Sequence, residues 1–118
     1  MTKEIATPYG KIVISKEVIA KLAGIAATQC FGIIGMVSSR ISDGLSEILG
    51  KEALARGVDV VSKGDSFVIR VNIVVGYGTK IPMIANNVIE NVKYTVERYT
   101  GLTVGNVEVC VRGVRVID

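Results

Sequence analysis

Polar and apolar residues change rhythm several times along the chain, and each rhythm predicts an element. Residues 1–9 show no clear pattern, and Pro8 disfavours regular pairing, so they read as a flexible lead-in to a single domain over 10–118. Gly10–Ser15 ("GKIVIS") is a short β-branched run that predicts a strand. Ser15 then stands where a helix cap is expected, with Glu17 in the favourable first turn. Val18, Ile19, Leu22, Ile25 and Ala26 recur at helical spacing as one apolar face, ending near Cys30 and before Gly32. Residues 35–56 are broken by Gly44 and Gly50, which predicts one or two irregular, partly mobile helical turns on a loop.

The second half is more regular. Two β-branched runs flank "SKGDS", and Lys63-Gly64-Asp65 is a turn signal, so residues 57–78 predict a β-hairpin. Phe67, Ile69, Val71, Ile73 and Val75 should face the core, which turns Arg70 and Asn72 toward solvent or a partner. "TKIPMIANNVIENVKYTVERYTG" predicts a helix with Thr79 as its N-cap, Pro82 in its first turn and Gly101 as its stop. Its apolar stripe is Ile81, Ile84, Ala85, Val88, Ile89, Val92, Val96 and Tyr99. In the last strand Val107, Val109 and Val111 alternate with polar positions until Gly113, where the phase changes to Val114 and Val116. A bulge at Gly113 would return that apolar face to the core. The predicted order is β-α-β-β-α-β. That is an α+β fold in which two helices cover one face of a mainly antiparallel sheet.

Composition narrows the chemistry. The 118 residues suit one domain, and the apolar fraction of 49% suits an aliphatic core, since only six residues are aromatic. The formal charge of +3 is spread thinly from Lys3 to Arg115 without a basic block, which argues against a nucleic-acid partner or an anionic-lipid patch. No histidine is present, which removes the commonest general base and metal ligand. Cys30 and Cys110 lack a partner motif and read as space-filling residues. Residues 22–39 carry no charge, but Thr28, Gln29, two serines and three glycines interrupt them, so direct membrane insertion is not expected. The opening "MTKEIATPYG" lacks an apolar leader, and the expectation is a cytoplasmic chain with reduced thiols.

One motif invites a phosphate-loop reading. "VVGYGTKIP" joins a strand to a helix through Gly76, Tyr77 and Gly78. A dinucleotide fingerprint needs a third glycine where Ile81 stands, and a P-loop needs Gly-Lys-Ser/Thr. The motif is therefore read as a sharp turn, with Pro82 setting the helix. No catalytic residue, cofactor site or metal site is assigned. The acids sit beside basic or polar neighbours, and the serines lack a base. What remains is surface: the small-residue side Ala20, Ala23, Gly24 and Ala27, and the polar sheet positions Arg70, Asn72, Arg112 and Arg115.

"GKIVISKEVIAKLAGIAA", "FGIIGM" and the long run from "VVGYGTKIP" to "NVEVCVRGV" together resemble the alkaline-shock-protein family of Gram-positive cell-envelope stress proteins. The resemblance spans residues 10–116 and rests on G-x-I-x-I-S, Y-G-x-x-I-P and T-G-L-x-V in combination. It implies a non-enzymatic α+β protein that forms homo-oligomers or docks on a membrane-anchored protein partner, membrane-proximal only through that partner. It makes Gly76, Tyr77, Gly78, Ile81 and Pro82 a structural family turn. The chain looks like a short member without charged extensions. Such members are often encoded near a dihydroxyacetone-kinase-like fatty-acid kinase, which gives the alternative of an accessory or small-ligand-binding module.

Overall fold

The computed structural model describes residues 2–39 and 47–116. In chain order the strands are β1 (Thr2–Thr7), β2 (Gly10–Ser15), β3 (Ile33–Met36), β4 (Val58–Lys63), β5 (Ser66–Gly76) and β6 (Val104–Arg115). The helices are α1 (Lys16–Thr28) and α2 (Ile81–Thr100), with a 3-10 helix at Lys51–Gly57. The expected α+β class holds.

β5 is the spine of the main sheet. Phe67, Ile69, Val71, Ile73 and Val75 alternate along it and are all buried, as the period-two pattern requires. β6 lies parallel to β5 along one edge, from Phe67↔Val104 to Gly76↔Arg115. A parallel neighbour needs a long crossover, and α2 supplies it. The other edge is shared end to end: β4 pairs antiparallel with residues 66–71 and β3 with residues 73–75.

Asn72 sits at the joint between those two partners. Alternation along the strand predicts that it faces solvent, yet it is fully buried. The reason is the joint itself: where β4 ends, the Gly57 carbonyl accepts from Asn72 Nδ2 at 2.9 Å, and Val37 N donates to the Asn72 carbonyl at 3.2 Å. Across the sheet Arg112 Nε donates to Asn72 Oδ1 at 2.8 Å. A buried amide with all these partners carries no unpaired polar group. The predicted bulge in β6 is present one residue early. The register steps from Ile73↔Val111 to Val74↔Gly113 and leaves Arg112 unpaired in the ladder, which frees it to reach Asn72. The apolar face does not return to the core beyond it: Val114 and Val116 stay exposed.

Both helices pack on the sheet face that carries the core. Ser15 Oγ caps α1 by accepting from Val18 N at 3.3 Å. The buried side of α1 is rotated from the expected one. Ile19 and the small residues Ala20, Ala23, Gly24, Ala26 and Ala27 are inside, while Val18 and Ile25 face out. Small residues let neighbouring backbone come close. A Cβ on Gly24 would lie 2.9 Å from Leu54 Cβ of the 3-10 helix, so only glycine permits that approach. α2 buries Ile84, Val88, Val92, Val96 and Thr100, one residue per turn. Tyr99, placed in that stripe by its spacing, is instead exposed, because the helix touches the sheet along a narrow line. Gly101 ends α2 as predicted, its N–H donating to the Glu97 carbonyl at 2.9 Å.

The lead-in is not loose. Residues 2–7 form β1, antiparallel to β2 from Thr2↔Ser15 to Thr7↔Gly10, in a two-stranded sheet separate from the main one. Pro8 falls in the turn rather than in a strand, where a missing N–H costs nothing. Thr7 Oγ1 donates to the Gly10 carbonyl at 3.1 Å and accepts from Tyr9 N at 3.3 Å. Ile14 packs on the core edge, Lys3 lies over the Phe67 ring, and the tip residue Tyr9 is fully exposed. The molecule measures 55 × 27 × 24 Å. Ile33–Met36, which runs into the stretch 35–56, is a strand that the sequence did not signal, and Lys51–Gly57, at the end of that stretch, is the expected irregular helical turn. Residues 40–46 lie outside the described residues.

The Asn72 joint makes a testable prediction. Asn72→Ala strands the Gly57 carbonyl and the Arg112 guanidinium together, and should cost ~2–3 kcal/mol in urea unfolding. Arg70→Ala, which removes an exposed ion pair, should leave the urea midpoint close to that of the parent chain.

Candidate functional site: the outward-facing aromatic surface

The residues singled out in the sequence fall into three places. The turn motif closes one end of the molecule. Gly76 N donates to the Gly32 carbonyl at 3.1 Å, Tyr77 N donates to the Arg115 carbonyl at 2.8 Å, and Thr79 Oγ1 donates to the Gly76 carbonyl at 2.6 Å. Gly78 takes φ +91°, a left-handed conformation that side chains resist. Thr79 therefore braces the turn instead of capping α2. The N-cap is Lys80, without a side-chain cap bond, and Ile81 and Pro82 open the helix. The two backbone N–H groups at Gly76 and Tyr77 are taken by the fold.

The small-residue side of α1 is the second place. Ala20, Ala23, Gly24 and Ala27 are all buried against the domain's own elements, so this side holds the fold together and presents no surface. The third is the open sheet face. Arg70 is exposed there and grips one oxygen of Glu108, Nε at 3.0 Å and Nη2 at 2.9 Å. Glu108 holds the Arg70 guanidinium above its ordinary pKa, chiefly through that hydrogen bond. Arg112 is tied to Asn72, and Arg115 lends its carbonyl to the turn. Arg70 is thus committed to Glu108 and Arg112 to Asn72.

What sequence spacing missed is the fate of the aromatics. Of the two phenylalanines and four tyrosines, only Phe67 is buried; Tyr9, Phe31, Tyr77, Tyr94 and Tyr99 are exposed by 58–101%. Phe31 and Tyr77 flank the Gly32–Gly76 backbone bond at the turn end, where β6 finishes with Val114 and Arg115. Tyr94 and Tyr99 lie on the outer side of α2 with Arg98 between them. Arg98 Nη1 donates to the Tyr94 hydroxyl at 2.7 Å, and its guanidinium carbon lies 5.8 Å from the Tyr94 ring centre and 6.0 Å from that of Tyr99. For Tyr94 the signal was present in "YTVERY": no helix can bury positions 94 and 98 while burying 92 and 96, whereas spacing alone places Tyr99 with the buried stripe.

Among the described residues no group of three or more His, Cys, Asp and Glu is placed to hold a metal ion, and no helix is long and apolar enough to cross a membrane. Both cysteines are free thiols. Cys30 is half-buried, with Sγ 3.6 Å from the Ala26 carbonyl. Burial pushes its thiol above the ordinary value, and a hydrogen bond with Asn91 works against that. A raised pKa leaves less thiolate at pH 8. Iodoacetamide should therefore modify Cys30 more slowly than a small free thiol, and the rate should still climb above pH 9. Mass spectrometry of the Cys30 peptide over a pH series checks this, and a plateau below pH 8 would contradict it.

Comparison with known proteins places this geometry in a lineage. The family model for alkaline shock protein 23, of cell envelope-related function, matches residues 4–116. The chain is 52% identical over 119 residues to "Uncharacterized protein YloU" of Bacillus subtilis, covering 100% of this chain and 99% of that protein. It is 40% identical to "Uncharacterized protein Spy1614" of Streptococcus pyogenes, over 99% of this chain and 98% of the relative. A third relative, "Uncharacterized protein YqhY" of Bacillus subtilis, is 34% identical over 92% of this chain and 80% of its own length. No solved structure matches. The resemblance read from the turn and strand motifs is borne out across nearly the whole chain, and the protein belongs to the alkaline-shock-protein family of cell envelope-related function.

Proposed function

We propose that this chain is a non-catalytic interaction protein of cell-envelope homeostasis and stress response, acting by self-association or by docking on a membrane-anchored partner. One observation carries the reading: five of six aromatic side chains are turned outward while an aliphatic core is completed without them. Aromatic rings bring the largest apolar payload to a core, and the same property makes them the usual anchors of interfaces. Their exposure costs the isolated chain apolar burial. A partner surface recovers that loss.

The family's link to the cell envelope supplies the setting.

Sedimentation velocity over a concentration series, together with crosslinking against membrane fractions, tests this. Self-association or a recovered membrane protein is expected. The double variant Phe31→Ser/Tyr77→Ser should weaken that association while changing stability by no more than ~0.5 kcal/mol, as for other exposed positions. A protein that stays monomeric at every concentration and recovers no membrane partner would overturn the proposal.

A further inference from the structure

The outer side of the helix layer carries a groove of about 520 Å³ between α1 and α2. On α2 its wall is Tyr94, Arg98 and Tyr99; on α1 it is Leu22 and Ile25. The floor is fixed. Asn91 Nδ2 donates to the Ala26 carbonyl at 2.8 Å and pins the two helices at that level. The residues lining the groove on α2 run from Asn91 to Tyr99, about 12 Å along the axis, which is some two turns of a helix laid beside it.

The charge in this groove is single and pre-placed. Arg98 is the one ionised residue among those lining it. Its guanidinium is held between two rings and by the Tyr94 hydroxyl, so little rotamer freedom remains to be lost on binding. Among the described residues no carboxylate pairs with it. The neighbouring acid, Glu97, is turned inward, where Oε2 accepts from Val104 N at 2.9 Å. Tyrosine, arginine and adjoining aliphatic side chains are the composition of an interface hot spot.

We infer that the groove between α1 and α2 docks an amphipathic segment of a protein partner, its apolar side chains on Leu22, Ile25, Tyr94 and Tyr99 and a carboxylate on Arg98. This rests on the docking form of the function proposed above and names its contact surface. An anionic membrane surface is a poorer fit, because it favours several basic residues spread over a flat face rather than one arginine in a groove.

The test places a photoreactive amino acid at Ile25 of the full chain in living cells, which leaves Tyr94, Arg98 and Tyr99 intact. A second probe at Tyr77 reports the turn end. The expected product from Ile25 is a crosslink to a segment of another protein in which Asp or Glu stands among apolar residues. That segment, synthesised as a peptide, should bind the purified chain. Arg98→Gln should weaken binding by about tenfold or more, as for other interfacial charge pairs. Amidating the peptide's acid should weaken it similarly, with no further loss when both changes are combined. Arg98→Gln should leave the melting curve unchanged, which separates binding from folding.

A crosslink from Ile25 to lipid or to a second copy of the chain would overturn the inference, as would a captured segment whose acid can be amidated without loss. Crosslinks from Tyr77 but none from Ile25 would remove the groove alone and leave the docking function standing. Crosslinks from neither would remove both.

Discussion

A single strand, β5, is served along one edge by two partners that meet end to end, and the fold depends on how that joint is closed. β4 stops at Val58↔Val71 and β3 begins at Met36↔Ile73, so the ladder is interrupted at Asn72. A gap in a buried ladder leaves backbone groups without partners, which is costly in a dry interior. The Asn72 side chain substitutes for the missing strand by donating to the Gly57 carbonyl, and its own oxygen is satisfied by Arg112. The bulge in β6 brings Arg112 within reach. Joint, buried amide and bulge therefore form one device. It holds the 3-10 helix, which begins at Lys51 and ends at Gly57, against the sheet edge.

That device has a consequence for the helices. The 3-10 helix presses Leu54 onto Gly24, and the close approach is open only to the small-residue side of α1. α1 consequently buries alanines and turns Val18 and Ile25 outward. A core closed by Val, Ile and Ala at short range has room for one aromatic, Phe67. The remaining rings, with Arg98 held between two of them, become surface. The surface proposed for partners is thus a by-product of how tightly the core is packed.

Much of this was legible in the sequence. The β4–β5 hairpin follows from alternation around Lys63-Gly64-Asp65, and α2 from its stripe, its early proline and Gly101. Those signals are local, so tertiary contacts only confirm them. The turn at Gly76–Gly78 reads as structural, and the N–H groups of Gly76 and Tyr77 are spent on Gly32 and Arg115. What could not be read depends on contacts between distant residues. β1 needs β2 as its partner, and Lys3 to Thr7 alternate too briefly to announce it. Which side of α1 goes inward is decided by Leu54, 30 positions away from Gly24. Asn72 looks like any polar residue on an exposed face until the break between β3 and β4 is known. Tyr99 fits a helical stripe by spacing, but a helix touching a sheet along one residue per turn has no place for it.

Under the proposed function the outward aromatics are covered in the cell. Hydroxyl-radical footprinting of the tyrosines, in living cells and in dilute purified protein, tests it most directly. Tyr77, Tyr94 and Tyr99 should be oxidised readily in the purified chain and protected in cells. Equal oxidation in both settings would contradict it, because the rings would then face water wherever the protein works.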